Sequence, residues 1–198
     1  MSMLETVEKA AASVLNRVLG EDIYDQLKGE HRELQELLEH AVECKESERS
    51  EALKQIEHVL VPHARAEEKT LYAVMHERLK SLEQDKESKK LTSEAMDLTN
   101  EAYEEHHAVD VLFAELKQTD VSSEKWIGKM TVIKENLEHH IKEEENELFS
   151  KAQELIASNE AQELLEAYLA EKEHFSESMP SQAQIAERRP SNEASKLV

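Results

Sequence analysis

Two ten-residue segments, "HARAEEKTLY" at 63–72 and "HIKEEENELF" at 140–149, lie 77 positions apart. They share a histidine, two acids at the fourth and fifth following positions, then leucine and an aromatic. Each interrupts a run of apolar residues at helical spacing. Each therefore belongs to an amphipathic helix whose inward face carries a His-x-x-x-Glu pair: His63 with Glu67, and His140 with Glu144. The preceding stretches repeat too. "LKGEHRELQELL" and "AYEEHHAVDVLF" align at a shift of 75, pairing Glu30 with Glu105, His31 with His106, Leu34 with Val109 and Leu37 with Leu112. A fold that satisfies this pattern holds two copies of a helix pair. In each, one helix brings a single inward histidine and the other an inward His-x-x-x-Glu.

The rest of the chain supports helices. Only three glycines and three prolines occur in 198 residues, and Glu, Leu, Ala and Lys are abundant. Apolar periodicity predicts helices over about 3–18, 22–42, 51–80, 93–117 and 123–157, with a last one to about 174. Pro62 removes a backbone hydrogen bond and predicts a kink just before His63. Asp120 and Ser122 are candidate caps for the long fifth segment. Four consecutive amphipathic helices predict an all-α, up-down-up-down four-helix bundle with extra N- and C-terminal helices. The expected organisation is an N-terminal helix (1–20) packed on the bundle, the bundle itself (21–157), a C-terminal helix (158–176) and a disordered tail (177–198).

Charge narrows the partners. With 44 acidic and 24 basic residues the net charge is −20, which repels phosphate backbones and anionic lipid heads. Nucleic-acid and membrane binding are not expected, and the identity of any protein partner stays open. No stretch approaches the roughly 20 apolar residues of a membrane span. The N-terminus lacks the basic start and uninterrupted apolar run of a signal peptide. A lone Cys44 in a polar stretch suits a reducing compartment, so a cytoplasmic location is expected.

Six groups should converge on the bundle axis: His31, His63, Glu67, His106, His140 and Glu144. Burying two carboxylates and four imidazoles without a partner is costly, and a cation offsets that cost. Mixed imidazole and carboxylate ligands at incomplete coordination suit iron, with manganese or zinc as alternatives. Two bridging carboxylates with two histidines per metal describe a dinuclear site with room for dioxygen or another small molecule. A ferritin-like site needs Glu-x-x-His twice, and within the four bundle helices over 22–157 only Glu104 with His107 has that spacing.

In their order along the chain, these six positions over roughly 22–157 resemble the hemerythrin-like, or HHE cation-binding, family. The resemblance implies a non-haem di-iron site with the six residues as ligands. It differs from the oxygen-carrying hemerythrins of animals, which have a further histidine one turn on in the third helix and an aspartate in the fourth. Here Asp110 follows His106 by four residues and Glu144 stands on the last helix, so Asp110 is a candidate seventh ligand.

Neighbouring residues receive lesser roles. His107 and His139 should point to a flank, and Glu68 and Glu145 outward or to a helix boundary. Tyr72 and Phe149 should plug the core over the site, the tyrosine able to donate a hydrogen bond. Functionally, the expectation is binding or sensing of dioxygen, iron or redox state at the metal pair. The alternative is a di-iron oxidoreductase acting on peroxide or nitric oxide.

Overall fold

Asp22 starts the bundle. Its side chain accepts hydrogen bonds from the backbone N–H groups of Tyr24 and Asp25, satisfying donors that the first helical turn leaves without partners. The computed structural model describes residues 22–82 and 89–179. In order the elements are α1 (Ile23–Glu43), α2 (Glu46–Lys69), α3 (Leu71–Leu82), α4 (Lys89–Lys117), α5 (Glu124–Glu143), a π-helical turn (Glu144–Leu148), α6 (Phe149–Leu155) and α7 (Ser158–Ser178). No strand occurs among the described residues.

The predicted all-α bundle is the fold observed. Helix α1, the broken helix α2–α3, α4, and the continuous α5–π–α6 rod form its four columns, while α7 packs along α2 and α1 as a fifth. The expected N-terminal helix lies outside the described residues, as does the segment 180–198 of the expected tail. Helix α7 runs to Ser178, slightly beyond its expected end. No helix among the described residues is long and apolar enough to cross a membrane.

One local expectation needs correction, and one feature was not foreseen. Pro62 sits inside α2, which continues as helix to Lys69, and an unforeseen break comes at Thr70 (φ −116°, ψ −82°). Thr70 Oγ1 donates to the Ala66 carbonyl, one turn back. The cap of α5 is Ser123, which accepts from Lys125 N–H, whereas Asp120 closes its own turn onto Ser122.

The irregularities share one place in the repeat. Thr70 follows Glu67, and the π turn begins at Glu144, so both copies deform just after the inward glutamate. Such π turns concentrate at functional sites because the added residue re-aims side chains.

The apolar interior divides into two clusters along the bundle. Leu27, Leu71, Tyr72, Met75, Phe149 and Tyr168 belong to one, and Leu34, Leu38, Ile56, Trp126, Ile133 and Leu137 to the other. In α1, His31 falls between Leu27 and Leu34. In α5, His140 follows Leu137 by three residues. The six polar groups thus form a layer between two apolar plugs, each presented by a helix anchored above and below it.

Candidate metal centre

All six residues foreseen from the repeat are brought together. His31, His63, Glu67, His106, His140 and Glu144 are each no more than 4% exposed. They sort into two histidine pairs with the carboxylates between them. The His31 and His63 rings lie 5.1 Å apart and those of His106 and His140 4.7 Å apart. Glu67 Oε2 stands 3.7 Å from His63 Nε2 and 3.8 Å from His106 Nε2. Glu144 Oε2 stands 3.2 Å from His31 Nε2 and 3.8 Å from His140 Nε2. Each carboxylate therefore reaches both histidine pairs.

The orientation of the rings follows from an outer ring of glutamates. His31 Nδ1 lies 2.8 Å from Glu145, His63 Nδ1 3.0 Å from Glu30, His106 Nδ1 3.0 Å from Glu68 and His140 Nδ1 2.8 Å from Glu105. An ionised carboxylate only accepts, so each Nδ1 carries the hydrogen. The neutral ring then turns a bare Nε2 inward, the tautomer a metal ligand requires. Glu68 and Glu145 thus do not point away, as expected from the sequence. Each reaches across to the single histidine of the other half. All four holders occur in matched positions, Glu30 with Glu105 and Glu68 with Glu145, and this retained acid is the signal that marks them.

Electrostatics within the layer are strained. Burial pushes the Glu67 carboxyl well above the usual carboxylate range, and the facing Glu144 adds to the rise. Burial acts likewise on Glu144, but His31 and His140 outweigh it and hold this carboxyl far below that range. His31 is disfavoured as a cation by burial, yet Glu144 and Glu145 raise it to about 9. His63 is lowered to about 4 chiefly by burial, and burial lowers His106 too.

Among the described residues, several inward atoms have no hydrogen-bond partner: His31 Nε2, both Glu67 oxygens and Glu144 Oε2. The 3.2 Å approach of His31 to Glu144 is too poorly aligned to count as one. His106 Nε2 faces His140 Nε2 at 3.1 Å, and two bare nitrogens at that distance repel unless a proton or cation lies between them. The donor atoms of Glu67, His106 and His140 fall within 4.8 Å of one another, close enough to share one ion. Orphaned buried atoms, clamped imidazoles and mixed N/O donors are what a resident cation fits.

Aromatic residues close the layer. Phe149 stacks on His31 at 6.1 Å, and Tyr72 stacks on His106 at 5.7 Å. The Tyr72 hydroxyl donates to Glu144 Oε1 at 2.8 Å, as its position allowed. Tyr168, on α7, was not anticipated. Fully buried, it donates to Glu30 Oε2 at 2.6 Å and lies 3.1 Å from His63 Nδ1. Lys172 pairs with the other Glu30 oxygen at 2.6 Å. Burial would raise the Glu30 carboxyl, but His63 and Lys172 keep it well below its ordinary value. Asp110 is not part of the layer: it is partly exposed and pairs with Arg65.

The sequence matches the Hemerythrin HHE cation binding domain family over residues 22–152, two thirds of the chain. The chain belongs to this family. A solved structure of a hemerythrin HHE cation-binding domain-containing protein from Mycobacterium kansasii is similar in fold, with a TM-score of 0.65 and 24% identity over 80% of this chain and 89% of that one. No curated protein matches in sequence. As an HHE domain, the chain is metal-binding, and its matched segment contains both histidine pairs and both inward glutamates.

Proposed function

We propose that His31, His63, Glu67, His106, His140 and Glu144 hold two iron ions, and that the protein binds dioxygen or a related small molecule there in oxygen, iron or redox sensing. The observation that carries this reading is the double reach of each inward carboxylate to both clamped histidine pairs. Two irons bound there would supply one-electron redox chemistry and an incompletely filled coordination sphere. The protein's own residues do the rest. The four outer glutamates orient the imidazoles, while Phe149 and Tyr72 keep bulk water from the layer. A cytoplasmic setting agrees with the unpaired Cys44.

One observation favours the second reading, a di-iron oxidoreductase acting on peroxide or nitric oxide. The Tyr72 hydroxyl is a proton donor placed directly against Glu144, where turnover would need one. Adding each ligand to the reduced, iron-loaded protein separates the two. Stoichiometric uptake with a stable optical change supports binding, and repeated consumption of peroxide or nitric oxide supports the enzyme. An optical spectrum that responds to none of the three contradicts both.

A further inference from the structure

The two halves of the repeat differ just outside the inner layer. At the offsets of the repeat, Glu105, His139 and Glu143 correspond to Glu30, Pro62 and Ala66. Only the second half therefore carries three possible ligands at its outer surface. His139 Nε2 lies 3.9 Å from Glu105 Oε1 and 3.7 Å from Glu143 Oε2, and all three donor atoms fall within 4.8 Å. A divalent first-row ion bound at about 2.1 Å holds neighbouring ligands about 3.0–3.5 Å apart, so a small inward closure of these side chains suffices. His139 is well exposed, and the glutamates are partly so.

This cluster stands at the mouth of a slot between α4 and α5, lined by Ala102, Glu105, His140, Glu143, Glu144 and a leucine on either side. Its volume of about 10 Å³ is of the order that one water occupies. The slot follows from another difference between the halves. Ala102 stands where the first half has Leu27, which is fully buried and fills the equivalent space. Glu144, 2% exposed, lines the slot and turns its Oε2 to the inner layer, 3.2 Å from His31 Nε2 and 3.8 Å from His140 Nε2, where among the described residues that oxygen has no hydrogen-bond partner. Glu105 joins the levels, with Oε1 toward His139 and Oε2 on His140 Nδ1.

We propose that Glu105, His139 and Glu143 form an outer site that captures a divalent metal ion from solvent and delivers it through the Ala102 slot to His140 and Glu144. The ion exchanges one imidazole and two carboxylates for another imidazole and carboxylate, so delivery involves no change of oxidation state. The acidic surface raises the local cation concentration at the mouth. The first half has no counterpart, since Pro62 and Ala66 offer no donor and α7 lies over Glu30. Both metal positions therefore fill from one side.

This inference rests on the proposed metal reading, and the test separates the two. Full-length protein stripped of metal is mixed with cobalt(II), whose visible absorption reports coordination, and both filling rate and final stoichiometry are read. Wild type is expected to take two tightly held ions and a third, weaker one. The double variant His139→Ala, Glu143→Gln should lose the third ion, keep the two, and fill at least about tenfold more slowly. Ala102→Leu should keep the third ion while slowing the filling of the inner pair, giving a second readout that leaves every ligand in place. Glu105 is left unchanged because it holds His140. Two inner ions with no third, or filling of the double variant at the wild-type rate, overturns the outer site alone. A wild-type protein that takes up no cobalt overturns the inner site, and the outer one with it.

Discussion

The two halves of the molecule supply the same kinds of residue to the inner layer and part company immediately outside it. Each contributes a single histidine, a His-x-x-x-Glu pair and two glutamates that hold imidazole Nδ1 atoms. Around this shared set, the first half is sealed. Glu30 lies beneath α7, hydrogen-bonded by Tyr168 and paired with Lys172, and Leu27 fills the gap beside it. The second half is open at Ala102, and Glu105 faces the partly exposed Glu143 and the exposed His139. Under the proposed reading, the duplicated part would serve two cations, each needing the same donors in the same tautomer, and the part that differs would set access and rigidity.

The largest effect should come from the element both halves share. Glu144→Ala removes a carboxylate that reaches one histidine of each pair. It is expected to reduce metal content from two ions to near zero, with a fall in melting temperature, because an ion that binds only the native state stabilises it. Elemental analysis and calorimetry check this, and retention of both ions would break the symmetric assignment.

The outer glutamates sharpen the comparison. Glu30→Gln and Glu105→Gln each weaken one imidazole clamp, and loss of such a contact costs about 10–100-fold in metal affinity. Glu30→Gln should be the more damaging, since it also leaves the Lys172 cation without its buried partner. Competition with a chelator measures both, and equal losses would show that the α7 cover adds nothing.

A smaller effect should appear on changing pH in the metal-free protein. His31, raised to about 9, contributes stability that is fully present below the ordinary histidine value of about 6.5 and is lost as pH rises through 9. His63, lowered to about 4, favours proton uptake by the unfolded chain between about 6.5 and 4, so stability falls as pH drops across that window. The combined contribution of these two rings to stability without metal should therefore be greatest near pH 6.5. With metal bound both rings must be neutral, so the decline on the alkaline side should disappear. Thermal melts across pH with and without metal check this.

The smallest effect should be that of Tyr168→Phe. It removes one hydrogen bond to an ionised carboxylate, worth about 2 kcal/mol, and should lower the melting temperature by a few degrees while leaving metal stoichiometry unchanged. Among the described residues, the second half has no equivalent tyrosine contact on Glu105 to lose.

The sequence makes the inner layer legible because helical period and four-residue spacing fix which way a side chain points, and because the pattern occurs twice. His31, His63, Glu67, His106, His140 and Glu144 are all found that way. Glu68 and Glu145 are misread for a physical reason. A residue next to an inward one is turned about 100° around its helix, which looks like a flank until the neighbouring helix supplies a histidine there. That contact depends on packing between helices, not on period within one, although the acid retained in both copies marks it. Asp110 is the opposite case: correct spacing on its own helix, but a side chain drawn to Arg65 instead. The break at Thr70 carries no comparable signal, since neither glycine nor proline stands there, while Pro62 lies within α2, which runs on as helix to Lys69. Tyr168 carries no signal of repeat or motif, since its role exists only where α7 crosses Glu30.

The most direct test of the central claim is elemental analysis of the purified protein from iron-supplemented culture, giving metal identity and atoms per chain. Close to two irons per chain is the predicted result. No metal, or a single loosely held zinc, would contradict a dinuclear iron centre built from the two halves.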